Sequence, residues 1–214
     1  MGTIRNGVNG GFKGKAGSVI GSSWKSIEYI KGLYKKRTKP ATEEQLMQQA
    51  KFTVLMRFLL PITVFIRVGF GQKRADSSTA TNMAFKDNIN RAIVGDYPDY
   101  ALDYGQVRIS DGNYAGGGTE SVSVAGGVMT LAWDTALNSL YDSKEDDRVY
   151  ILLYHPGIDQ FLSAPTPPLR GDGTVEITLP NHFLGGVGHV WTFFADRQGR
   201  KVSRSTYLGE VELV

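Results

Sequence analysis

Ten residues near the start of the chain have the types and spacing of a surface that binds a polyanion or a partner. They are Lys13, Lys15, Trp24, Lys25, Lys31, Tyr34, Lys35, Lys36, Arg37 and Lys39, with Phe12 and Tyr29 between them. The cations meet phosphates, and exposed rings stack on bases. The same set also fits a protein-docking arm, or a basic hairpin whose aromatics pack on its own helix. The run GGFKGKAGS lacks the G-x-x-x-x-G-K-[ST] spacing, so a phosphate-cradling loop is not expected.

Elsewhere the reactive residue types do not fall into catalytic patterns. His155, His182 and His189 show no H-E-x-x-H spacing. Asp96, Asp99 and Asp103 lack the alternation and closing glutamate of a calcium loop. Asp142, Glu145, Asp146 and Asp147 read as a solvated acidic loop, and Ser203 and Ser205 have no nucleophile elbow. Arg170-Gly171-Asp172 spells an integrin-type tripeptide without a secretory context. No catalytic, cofactor-binding or metal-ligating residue is assigned, and the chain is read as a non-enzyme.

The 214 residues contain no cysteine, which removes disulfide and thiolate chemistry. The net charge of +3 is unevenly spread. Residues 1–40 carry nine Lys/Arg against one acid, and residues 101–214 carry eight against fourteen. A basic arm joined to an acidic body points to phosphate, or to the acidic body of a neighbouring copy. No apolar signal segment opens the chain, and Asn6 stands where a myristoylation site needs Ser or Thr. The expected location is therefore the cytoplasm by default, or a particle or virion.

These residues need a scaffold, and residues 40–72 are its centre. Thr42 is expected to cap a helix, with Gln45 reaching back in a capping box. Glu43 and Glu44 suit the positive end of the helix dipole. Leu46, Met47, Ala50, Val54, Met56, Leu59 and Leu60 leave few polar sides, so burial on several sides is expected, within the core or between subunits. Pro61 should break the helix. A membrane span is not expected, because only nine residues separate Arg57 from Arg67, against the ~20 that a bilayer core requires. A second helix is expected over residues 80–94, stopped by Gly95, followed by an aromatic, acidic linker, GDYPDYALDYG.

In the arm, strands are expected at 16–20 and 24–30, with Gly21-Ser22-Ser23 as the turn and an extended piece over 33–37. In the last half, strands are expected at 107–110, 121–125, 128–133, 148–154, 173–179, 189–195 and 205–213. About seven strands in ~110 residues fit an antiparallel sandwich. The fold class is α+β: a basic N-terminal β-hairpin arm (1–40), two helices and a linker (41–104), then a β-sandwich (105–214). The strand ending at Trp133, the run Val149–Tyr154 and the aromatic strand 190–194 resemble fibronectin-III and immunoglobulin-like modules.

The whole chain resembles an uncharacterised family of roughly 200-residue proteins common in Bacteroidota and their mobile elements. The resemblance is carried by residues 11–19 (GFKGKAGSV), Trp24, Gln45-Leu46, Lys51-Phe52, Leu60-Pro61-Ile62, Gly69-Phe70, Trp133 and the strand near Phe194. It implies an architecture and supplies no active site. The function expected is a structural or assembly protein that self-associates or joins a larger particle, of phage type, through its arm and central helix. A nucleic-acid-binding module using the arm is the alternative, and a ligand-binding or adhesion sandwich, resting on Tyr154 and Trp191, is a further one.

Overall fold

The computed structural model describes residues 3–4, 10–24, 27–36, 38–72 and 78–214. The chain divides into two compact units, Met1–Gln45 and Leu46–Val214. With three α-helices and antiparallel sheets among the described residues, it is an α+β protein.

In the first unit, β1 (Thr3–Ile4), β2 (Phe12–Ala16), β3 (Val19–Trp24) and β4 (Ile27–Gly32) form one antiparallel sheet in that order. The expected turn at Gly21-Ser22-Ser23 is part of β3 instead, and the chain reverses at Gly17-Ser18. Gly17 has a φ of 58°, where a Cβ is disfavoured. Gly21 lies against Phe12, and a side chain there would meet the Phe12 carbonyl and ring. The two glycine-serine pairs thus exchange their expected roles, because the close contact of Gly21 with Phe12 needs a glycine within the strand. Lys25 and Ser26 lie outside the described residues. The reciprocal cap is present: Thr42 N donates to Gln45 Oε1 and Gln45 N donates to Thr42 Oγ1, each at 3.4 Å.

Helix α1 (Glu43–Leu59) starts at that cap and runs into the second unit. It ends just before Pro61, and α2 (Thr63–Gly69) leaves at 90° to it. Among the described residues no single helix is long and apolar enough to cross a membrane. Helix α3 (Ala80–Asn88) is capped by Thr79, whose hydroxyl accepts from Asn82 N at 3.2 Å. It stops at Asn88, short of the expected residue 94; the Asn88 carbonyl accepts from Arg91 N and Ala92 N in a turn, and its buried side chain ties the helix end to Arg108. Its Nδ2 donates to the Ala84 and Arg108 carbonyls at 2.9 and 2.8 Å, and its Oδ1 accepts from Arg108 N at 2.7 Å. β5 (Ile93–Val94) and β6 (Ala101–Leu102) then form a small hairpin.

Residues 107–110 are not the strand that was expected. Val107 N donates to the Tyr104 carbonyl, and the next three amides are satisfied by side chains, Arg108 N by Asn88, and Ile109 N and Ser110 N by Ser205 Oγ. The remaining strands are β7 (Ser121–Ala125), β8 (Val128–Ala132), β9 (Arg148–His155), β10 (Gln160–Leu162), β11 (Thr174–Thr178), β12 (Val187–Ala195) and β13 (Thr206–Glu212). They build a four-stranded sheet, β10-β9-β12-β13, and a three-stranded sheet, β11-β8-β7. The unexpected member is β10.

The four-stranded sheet is covered on both faces. Val149, Ile151, Leu153, Val190 and Phe194 point to the three-stranded sheet and pack with Met129, Leu131 and Ile177. Leu152, Tyr154, Trp191 and Phe193 point the other way, onto Leu55, Phe58, Leu59, Ile62 and Ile66 of the helices. That explains the unbroken apolar run in β9, since strands buried on two sides lose the alternation of half-exposed ones. It also explains why α1 is apolar toward its C-terminal end: that half is core, whereas Leu46 and Phe52 are exposed. Residue 104, the expected limit between helices and sandwich, falls inside this unit.

Candidate functional site

Strand pairing collects the expected arm residues. Lys15 pairs with Ile20 and Ile20 with Lys31; Ser22 pairs with Tyr29, and Trp24 with Ile27. Cross-strand partners lie on the same face, so Lys13, Lys15, Lys31, Trp24 and Tyr29 share one face of the sheet. All five are exposed. Tyr34, Lys35, Lys36 and Lys39 follow along an exposed stretch without regular structure, and Tyr34 is 86% exposed. Lys25 and Arg37 lie outside the described residues.

β4 is exposed along its whole length. Ile27 and Tyr29 on one face and Ile30 on the other are open to solvent. Its outer edge has no neighbouring strand among the described residues. Open strand edges and clustered exposed apolar groups both favour association.

The second unit carries a cleft of about 430 Å³, which sequence reasoning missed. Val54, Arg57 and Phe58 of α1 form one wall, Tyr100, Ala101, Leu102 and Tyr104 another, and Tyr154 of β9 with Pro156 and Asp159 of the β9–β10 turn a third. Asp159 ties the turn to the helix. Its Oδ2 accepts from Arg57 Nη2 at 2.6 Å and Nε at 2.9 Å, and its Oδ1 accepts from the Tyr154 hydroxyl at 2.8 Å. The Arg57 hydrogen bond, and then that from Tyr154, hold the Asp159 carboxyl below its ordinary value. Burial, followed by the Asp159 bond, pushes the Tyr154 phenol up, so it stays a neutral donor. Lys51 Nζ sits 5.1 Å from the centre of the Tyr100 ring, a cation–π contact. The sequence signal was the repeated Asp–Tyr pairing in residues 96–104; the partner Asp159 is 102 residues from Arg57 and cannot be paired by spacing.

The other candidates resolve into structure. Trp191 is fully buried in the core under the helices, so it cannot face a ligand. Arg170 of the integrin-type tripeptide is fully buried too. No group of His, Asp and Glu among the described residues has the geometry to hold a metal ion. His155 Nε2 is 2.8 Å from the Gly185 carbonyl, and His189 Nδ1 is 2.8 Å from the Tyr207 hydroxyl.

The described residues thus define an α+β protein with an exposed basic-aromatic sheet and a tyrosine-lined cleft in a separate unit. Residues 11–209 match a family of unknown function (DUF6266), and the chain belongs to that family. No curated protein and no solved structure matches it.

Proposed function

We propose that this chain is a non-enzymatic assembly subunit, joining copies of itself or the subunits of a larger particle through its N-terminal arm. The observation that carries this reading is β4, an edge strand exposed on both faces with apolar residues on each. A strand in that state gains most from protein, which can pair the edge and cover both faces at once. The opposite charges of arm and body favour contact between one copy's arm and another's body. Light scattering on nuclease-treated protein should give a mass well above the 23.5 kDa of one chain. Removing residues 1–39, or placing lysines at Ile27 and Ile30 to block the edge, should give monomers. Oligomers of unchanged mass in both variants would refute the proposal.

Nucleic-acid binding is the second reading. It is favoured by the gathering of Lys13, Lys15, Lys31, Trp24 and Tyr29 on one sheet face. Affinity for single-stranded oligonucleotide should then fall steeply with salt. This reading leaves Ile30 and the opposite face unexplained, which is why it stands second. The strand order of the two sheets, three strands facing four as β11-β8-β7 and β10-β9-β12-β13, supports reading residues 121–213 as a fibronectin-III-like sandwich, a fold that commonly spaces or displays binding surfaces.

A further inference from the structure

We infer that the tyrosine cleft is the receptor for the basic aromatic segment, residues 33–36, of a second copy. The inference rests on the assembly reading and names the surface that receives the arm.

Charge selects the occupant. The wall that contributes Tyr100 and Tyr104 belongs to residues 95–105, which hold Asp96, Asp99 and Asp103 and no Lys or Arg. Asp96 and Asp99 are exposed, on the stretch that leads into the cleft residue Tyr100. Of the two cations at the cleft, Arg57 in its wall is held by Asp159, and Lys51 at its rim lies over the Tyr100 ring. Residues 31–39 hold four lysines and one arginine and no acid. Opposed charge of this kind sets register and raises the rate of encounter.

Shape and chemistry agree with charge. The cleft is floored by Phe58, Tyr104 and Tyr154, whose rings meet edge-on or tilted at centroid distances of 5.3 to 6.2 Å. Such a floor takes a further ring in the same geometries. Tyr34 is the most exposed aromatic of the arm, and it stands between Leu33 and Lys35 on a stretch free of helix or strand. Lys51 over Tyr100 shows that the cleft's rim accommodates an ammonium group against a ring. Tyr34 would fill the cleft, with Lys35 and Lys36 meeting Asp96 and Asp99. An arm-to-cleft contact is heterologous, so copies add head to tail into a ring or a filament.

The test is a charge exchange in the full-length chain. One variant carries Lys35→Glu and Lys36→Glu; the other carries Asp96→Lys and Asp99→Lys, all at exposed positions. Each alone should dissociate roughly tenfold or more readily than the parent by analytical ultracentrifugation. An equimolar mixture should regain the parental mass, since each reversed arm then meets a reversed cleft. Thermal melting confirms that both variants fold. If the cleft variant assembles as the parent does while the Ile27/Ile30 lysine variant is monomeric, the cleft is not the receptor and the arm reading stands. If both variants dissociate and the mixture does not reassemble, the pairing is wrong. If the parent is a 23.5 kDa monomer, both readings fall.

Discussion

Arg170 and Asp147 meet at 3.1 Å, Nε to Oδ2, with both side chains almost wholly removed from solvent. The pair is the hub of a network. Arg170 also donates to the Ala115 and Gly116 carbonyls at 2.8 and 2.7 Å, and its guanidinium lies 4.5 Å from the Phe194 ring centre. Asp147 accepts from the Tyr114 hydroxyl at 2.8 Å and from Lys144 N at 3.0 Å. Loops around 114–117 and 144–147 are thereby tied to the sheets.

Removing one charge of such a pair leaves the other buried and uncompensated, at a cost of about 3–5 kcal/mol. Asp147→Ala should lower the urea unfolding free energy by that order, and Arg170→Met should do the same. The double variant should lose less than the sum, because its second substitution removes the stranded charge. Additive losses would show that the two residues act separately.

How much of this was legible depends on where each backbone group finds its partner. The capping box at Thr42 and Gln45 is local and was readable, as were the break at Pro61 and the strands β7 and β11, whose pattern repeats over short distances. Residues 107–110 look like a strand because apolar and polar types alternate, but the amides of Arg108, Ile109 and Ser110 bond to the Asn88 and Ser205 side chains, partners 20, 96 and 95 residues away. Helix α3 ends at Asn88, whose side chain is tied to Arg108, 20 residues away, while the sequence offered Gly95 as the more obvious stop. The cationic arm was visible as composition. The cleft was not, since its three walls come from residues 54–58, 100–104 and 154–159.

Phe58 shows the weight the helix layer bears in the second unit. It is nearly buried and meets Tyr154, Phe161 and Trp191 with centroid distances of 5.3, 5.2 and 5.7 Å. Phe58→Ala should cost about 3–5 kcal/mol. It should also raise hydrogen exchange in β9 and β12, the strands beneath it. Loss of protection in β7 and β8 alone would contradict the packing described.

His189 gives the unit a defined acid response. Burial holds its pKa below the ordinary 6.5, and its ring lies 4.2 Å from that of Tyr104, with Glu210 opposing the shift from a distance. A folded-state pKa below the unfolded one means that protonation favours unfolding. The contribution is complete above about pH 6.5, where the unfolded imidazole is neutral, and it is lost as the pH falls through the folded value. His189→Gln should therefore flatten stability between pH 7.5 and 5 relative to the parent, measured as the difference in urea midpoint. An equal slope in both proteins would show that the imidazole is not responsible.

Arg57 and Asp159 should behave differently from the Arg170 pair, although their contact is shorter. The Arg57 and Asp159 side chains are 73% and 41% exposed, and solvent-screened ion pairs of that kind contribute little to stability. Asp159 also has a φ of 52°, which Asn tolerates as well as Asp. Asp159→Asn keeps an acceptor for the Tyr154 hydroxyl and removes the charge, so the melting temperature at neutral pH should barely move. The folded carboxyl titrates below its ordinary 3.8, so its small stabilisation is present above that value and is lost as the pH falls through the folded one. The two proteins should converge at low pH. A loss of several kcal/mol at pH 7 would instead mean that the Asp159 turn carries part of the core.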